Sequence, residues 1–156
     1  MAYQLQEINR RIKTDVTEFL EECDQAYAQR VSLAADRILS NLDKSPVVLL
    51  SGPSGSGKTT TALKLEQELE RRGVQTHTIS MDNYFKTLNR KTAPRNAEGD
   101  IDYESPRLLD MDLLDETFTR LSRGEWVVVP KFEFARQMRN DSRGTLLKLD
   151  RNEIAI

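Results

Sequence analysis

Cysteine is almost absent from this sequence. Cys23 stands alone, so no internal disulfide can form, as suits a reducing compartment. Long apolar runs are missing as well, and none approaches the length of a membrane span. Asp15, Glu18, Glu21 and Glu22 come early, a pattern that does not read as a signal peptide. The expectation is a soluble, cytoplasmic protein with no membrane partner. Charge of one sign is lacking too. Lys and Arg number 23 against 25 Asp and Glu, a net charge of −2, so no basic field draws nucleic acid. Histidine occurs once, as His77, within an alternating β-branched stretch. With no partner nearby in sequence, it reads as a strand residue rather than a catalytic imidazole. Neither glycine nor proline occurs before Pro46.

What is present begins with that uninterrupted segment. From Ala2 to about Leu42 apolar residues recur at three- and four-residue steps: Leu5, Ile8, Ile12, Val16, Phe19 and Leu20, then Val31, Ala35, Ile38 and Leu42. Residues 1–44 therefore read as helical, either an antiparallel pair packed on the next domain or a connector from something upstream. Ser45-Pro46 breaks the helix, because the residue before proline is pushed to extended geometry. Residues 45–156 read as one α/β domain with a core of respectable size.

The stretch that organises this domain is Gly52-Pro53-Ser54-Gly55-Ser56-Gly57-Lys58-Thr59-Thr60. An apolar run, Val47–Leu50, precedes it, and an amphipathic run, Ala62 to Leu69, comes after it. Strand, glycine-rich loop and helix in that order, with G-x-x-x-x-G-K-[ST], is a phosphate-binding P-loop. Triphosphate oxygens need several donors converging on one point. A loop without side-chain bulk, at Gly52, Gly55 and Gly57, can turn its backbone N–H groups inward. The positive end of the following helix then faces the phosphates. Lys58 is expected to reach the β and γ oxygens of ATP, and the Thr59 hydroxyl to ligate Mg²⁺.

Pro46–Ser51 reads as a first strand buried on both faces, and Lys58 to Arg72 as the loop's helix, with Gly73 as its C-cap. Val74–Ser80 reads as a second strand. Asp82, just past its end, falls where open α/β sheets bind ligands, which sets it beside the P-loop. A carboxylate there could equally cap the turn. Leu88 to Asp100 reads as a mobile loop in which Arg90, Lys91 and Arg95 are solvated. Ser105 is expected to cap a helix with Pro106 in its first turn and Leu109, Leu113 or Leu114, Phe118 and Leu121 buried. Gly124 ends it. Trp126–Val129 reads as a third buried strand. Thr145–Leu149 and Glu153–Ile156 read as short strands around an Asp150-Arg151-Asn152 turn. Strands alternating with helices predict a P-loop NTPase-type parallel sheet flanked by helices.

With these segments placed, residues 45–156 resemble the uridine kinase/phosphoribulokinase family of P-loop kinases. The resemblance rests on Gly52–Thr59, Ser80-Met81-Asp82-Asn83-Tyr84-Phe85, Tyr103-Glu104-Ser105-Pro106 and Pro130-Lys131-Phe132-Glu133-Phe134 with Arg139. It implies phosphorylation of a hydroxyl on a nucleoside or another ribose-like molecule, dependent on ATP and Mg²⁺. It also implies that Asp82 takes or orients the proton of the attacking hydroxyl and that Glu104 holds ribose hydroxyls. Phe85, Phe132 and Arg139 are implied as further acceptor contacts. The sequence departs from the uridine kinase pattern at four places: Glu104 stands where Asp is usual, Ser105 where a His follows, Phe132-Glu133-Phe134 where Tyr-Asp-Phe is usual, and Gln137 at another His position. A magnesium-associated Glu and an Arg-rich lid would fall beyond Ile156. The expectation is therefore a piece of a longer protein, weakly active alone.

Other classes stay open. A nucleotide-switch GTPase would need Asn-Lys-x-Asp, which does not occur, and Asp141-Ser142-Arg143-Gly144 matches D-x-x-G by chance alone. Another P-loop NTPase, or a non-catalytic nucleotide-binding or regulatory module with the helical N-terminus as partner surface, remains an alternative. Homo-oligomerisation is undecided by sequence.

Overall fold

The computed structural model describes residues 3–53 and 55–156. Two helices open the chain, α1 (Leu5–Thr14) and α2 (Val16–Asn41). Asp15 joins them in extended geometry and its side chain accepts the Glu18 N–H, an N-cap that starts α2 where α1 stops. α3 (Lys58–Arg71) comes directly after the glycine-rich loop, and Gly73 leaves it at φ 84°. Its stripe Ala62, Leu65 and Leu69 is buried at the expected spacing.

Three parallel segments make the sheet. β4 (Glu153–Ala155) lies in the middle, with β1 (Gln75–His77) on one side and a bridge from Val47 to Ala155 on the other. Successive β4 residues face opposite ways. Ile154 packs with Leu65, Leu69, Val74 and Ala35 beneath α3 and α2, while Ala155 packs with Ile79, Tyr84, Leu114 and Leu121 on the other face. α4 (Met111–Ser122) covers that second face, so the sheet is sandwiched between helices.

The strand expectations need correction. Pro46–Ser51 is not a fully buried strand: Leu49 is 73% exposed, and the run pairs only around Val47 and Val48. Its ladder bonds are the Ala155 N–H to the Pro46 carbonyl and the Val48 N–H to the Ala155 carbonyl, and beyond Val48 the run has no backbone partner among the described residues. Trp126–Val129 does not join the parallel sheet. It belongs to β2 (Val127–Glu133), which pairs antiparallel with β3 (Met138–Leu147), so one face stays wet and Trp126 and Val128 are exposed. Thr145–Leu147 is thus the end of a ten-residue strand, which stops short of the expected Leu149, and Glu153 onward pairs with β1 instead of folding back across the 150–152 turn. The β2–β3 register breaks between Val129 and Lys131, at Pro130, which has no N–H for the ladder. Asp141–Gly144 falls in the extra length of that bulge. Ser105 also does not cap the long helix. Pro106–Leu108 is a separate 3₁₀ turn, and α4 starts later, with the Asp110 side chain accepting from Leu113 N–H.

α2 is clamped to the end of α3. Arg72 donates to Asp36, to Ser32 and to Glu68, and Arg71 also donates to Glu68. These guanidinium hydrogen bonds, Arg71 first, push the Glu68 carboxyl down to about 2 from its ordinary 4.5. A depressed carboxyl stabilises the fold above its unfolded value and loses that contribution as pH falls through its folded value. Acid titration monitored by circular dichroism should therefore show a destabilisation between roughly pH 4.5 and 2 that Glu68→Gln lacks. A pH profile unchanged in Glu68→Gln would contradict the clamp.

Tyr84 is fully buried beside Phe118, and its hydroxyl makes no hydrogen bond of good geometry among the described residues, the Thr117 side chain being a polar group beside it. Burial raises its phenol pKa. An unpaired buried hydroxyl costs about 1–3 kcal/mol, so Tyr84→Phe should leave chemical stability unchanged or raise it by about 1 kcal/mol. A loss on urea denaturation would mean the hydroxyl has a partner after all.

Candidate active site

The glycine-rich loop connects the Val47 bridge to α3. Gly57 occupies the N-cap of α3 at φ 82°, a left-handed conformation that side chains rarely adopt. At Gly52 the constraint is proximity: a Cβ would lie 2.8 Å from Ser56 Oγ and 3.5 Å from the Lys58 stem. Lys58 Nζ donates to the carbonyls of Gly52 and Pro53, at 2.8 and 2.9 Å, tying the ammonium to the loop. Gly55, Ser56, Thr59 and Thr60 are exposed around it. Ser54 lies outside the described residues.

Three features suit a nucleotide triphosphate: the side-chain-free approach at Gly52, the helix N-terminus and the ammonium. Thr59 offers one exposed hydroxyl in the first turn of α3. The described residues hold no cluster of three or more His, Cys, Asp or Glu. That donor set fits Mg²⁺, which takes one or two protein ligands and keeps its waters and phosphate oxygens.

β1 and the Val47 segment run parallel on either side of β4, so both lead out at the same end of the sheet. The Met81–Tyr84 turn therefore emerges two strand spacings, about 10 Å, from the start of the loop. Asp82 lies exposed in this 3₁₀ turn. Its carboxylate makes no hydrogen bond among the described residues. The cap of the turn is Ser80, whose hydroxyl accepts the Asp82 N–H.

Residues after this turn build a cavity of about 270 Å³. Phe85, Leu88, Tyr103, Leu108, Phe132 and Phe134 supply its apolar walls, and Lys86 and Gln137 its polar ones. Phe85 and Phe134 stand 5.6 and 5.1 Å from the Phe132 ring. The Tyr84–Lys86 strip is pinned to Leu108–Asp110 by backbone bonds, and Asn83 Oδ1 accepts the Phe132 N–H, joining the Asp82 turn to the cavity wall. Gln137 is the one described non-glycine residue at positive φ, 51°. Its carbonyl accepts the Leu88 N–H, and its amide donates weakly to the Tyr103 hydroxyl at 3.4 Å.

The other sequence candidates fall in different settings. Phe85 and Phe132 meet in the cavity wall. Glu104 is exposed, and its carboxylate has no partner among the described residues. The Arg139 guanidinium is engaged by Asp110 at 2.6 Å and Asp141 at 2.9 Å, so an acceptor contact would compete with two carboxylates. The same Arg139 hydrogen bond, ahead of other influences, holds the Asp110 carboxyl below its ordinary value. His77 has a partner that its sequence neighbourhood does not reveal. Its Nε2 lies 3.1 Å from Glu153 Oε2, across the β1–β4 pair. Sequence reasoning missed Asn83, Tyr103 and Asp110 as site-building residues. Asn83 and Tyr103 had a local signal, their places within Met81–Phe85 and Tyr103–Pro106, and Asp110 had none.

A strand-linked glycine loop, a lysine on the loop and an acidic turn at the same sheet end are joined to an aromatic cavity. The model of the phosphoribulokinase/uridine kinase family matches residues 47–151, more than half of the chain. The chain belongs to this family. The match takes in both the loop and the cavity. Relatives include the uridine kinase of Schizosaccharomyces pombe, 34% identical over 97 residues, covering 62% of this chain and 21% of that protein. Uridine-cytidine kinase-like 1 of Mus musculus is 32% identical over 97 residues, covering 62% and 17%. The uridine kinase of Staphylococcus aureus strain JH9 is 33% identical over 95 residues, covering 61% and 44%. The chain thus matches less than half the length of each of these relatives. A solved structure from Silicibacter sp. TM1040, described as a putative fructose transport system kinase, superposes with a TM-score of 0.63 over 80% of this chain and 61% of its own. At 22% identity it shows the shared fold. No helix among the described residues is long and apolar enough to cross a membrane.

Proposed function

We propose that this family member transfers the γ-phosphoryl group of ATP to a hydroxyl of a nucleoside. The observation that carries the choice of acceptor is the aromatic cavity reached from the Asp82 turn. A flat base gains by stacking on phenyl rings, by about 1–3 kcal/mol per base, whereas a free sugar has no π-face to offer. The uridine kinase relatives support the same choice.

The chain's residues divide the work. Gly52–Thr60 form the phosphate cradle, in which every residue except Pro53 has a backbone N–H to offer. Lys58 exchanges the Gly52 and Pro53 carbonyls for β and γ oxygens and neutralises charge as the phosphoryl group moves. Mg²⁺, held on the Thr59 hydroxyl and the phosphates, supplies further charge neutralisation when bound. Asp82, with no competing hydrogen bond among the described residues, accepts the proton of the attacking hydroxyl and aligns it for in-line displacement. Phe85 and Phe132 hold the base, and Glu104 serves the ribose hydroxyls at the exposed side.

Phe132→Ala should raise the nucleoside KM at least ~10-fold, the loss of one stacking surface, while leaving the KM for ATP unchanged. A coupled assay of nucleoside-dependent ADP release reads both. An unchanged nucleoside KM would remove the cavity from the acceptor site.

A further inference from the structure

α2 lies outside the segment matched by the family model, yet it grips α3 along its length. At the phosphate-loop end, the Tyr27 hydroxyl and Thr61 Oγ1 share a hydrogen bond of 3.0 Å, both residues half-buried. Thr61 also donates its N–H to the Gly57 carbonyl at 2.9 Å, closing the first turn of α3 onto the loop. In the middle, fully buried Ala35 packs with Leu65 and Leu69. At the far end, Arg72 is held by Ser32 and Asp36. Thr61 and Arg72 are about 16 Å apart along the helix axis. A slide or rotation of α3 would therefore have to break bonds at both ends.

We infer that α2 is a working part of the nucleotide site, with Tyr27 as a positioning residue that acts through Thr61 on the phosphate-binding loop. The inference rests on the reading of Gly52–Thr60 as that loop. Loop N–H groups bind phosphate only while they converge, and their convergence depends on where the first turn of α3 sits. The Gly57 carbonyl is bonded to Thr61, and Thr61 is bonded to α2. Small displacements of positioning groups are costly at such sites.

The test is calorimetric titration of Mg·ADP into the whole chain and into Tyr27→Phe, Thr61→Val, their double variant and Thr61→Ser, with a thermal melt of each. Tyr27→Phe and Thr61→Val should each weaken Mg·ADP at least about fivefold while melting with the parent. The double variant should bind no worse than either single one, because both remove the same bond. Thr61→Ser, which keeps the hydroxyl, should bind like the parent. Parent-like affinity in Tyr27→Phe and Thr61→Val, or losses that add in the double variant, would overturn the inference and leave the phosphate-loop reading standing. A parent chain that binds no Mg·ADP would instead remove the phosphate-loop reading, and this inference with it.

Discussion

Replacing Lys58 with alanine should weaken Mg·ATP binding at least ~30-fold and leave the melting temperature unchanged. Removing one member of a hydrogen-bonded charge pair shielded from water costs about 2–5 kcal/mol, and 1.4 kcal/mol is a factor of ten. The fold should not notice the change. Among the described residues Lys58 bonds to the Gly52 and Pro53 carbonyls of its own loop, and the helix it begins is anchored elsewhere, through Leu65, Leu69 and Arg72. Calorimetry with Mg·ATP, paired with a thermal melt, separates these effects. Equal affinity in the two proteins would mean that the loop does not bind a triphosphate.

Asp82→Asn should lower kcat at least ~10²-fold with little change in ATP affinity, the lower end for loss of a general base. The structure makes this a clean substitution. Ser80 caps the turn, the Asp82 carboxylate bonds to nothing else among the described residues, and the residue is exposed at the sheet end where the loop begins. Asparagine keeps the shape and removes the negative charge together with the ability to take a proton. Single-turnover measurements on both proteins read the chemical step directly. Near-parental rates with every acceptor would make Asp82 a bystander.

Local chemistry was legible in the sequence, and pairing was not. The loop, α3 and the α1–α2 pair came from glycine spacing and apolar periodicity, which act within a turn or two of the chain. Of the expected α4 stripe, Leu114 and Leu121 are buried and Phe118 packs half-buried against the core, but Leu109 falls before the helix, whose start was misread. Ser105-Pro106 is a good helix opening in sequence, yet Asp110 became the cap because Tyr84 and Lys86 pair with residues 108–110 and keep them extended. The Val47–Leu50 and Trp126–Val129 runs have similar composition. One pairs briefly at the edge of the parallel sheet and the other enters an antiparallel hairpin, a choice made by partners far along the chain. His77 shows the same limit, since Glu153 is 76 residues away. Phe85 and Phe132 were named from motifs. That they form one cavity with Tyr103, Phe134 and Gln137 came only from the fold.

The most direct measurement of the central claim tracks the γ-phosphate. The protein is incubated with γ-labelled Mg·ATP and with uridine, cytidine, ribose or fructose, and the labelled products are separated. The account predicts label on a hydroxyl of a nucleoside, absent from Asp82→Asn and reduced in Phe132→Ala. Label on free sugars with none on nucleosides, or label released only as inorganic phosphate, would contradict it.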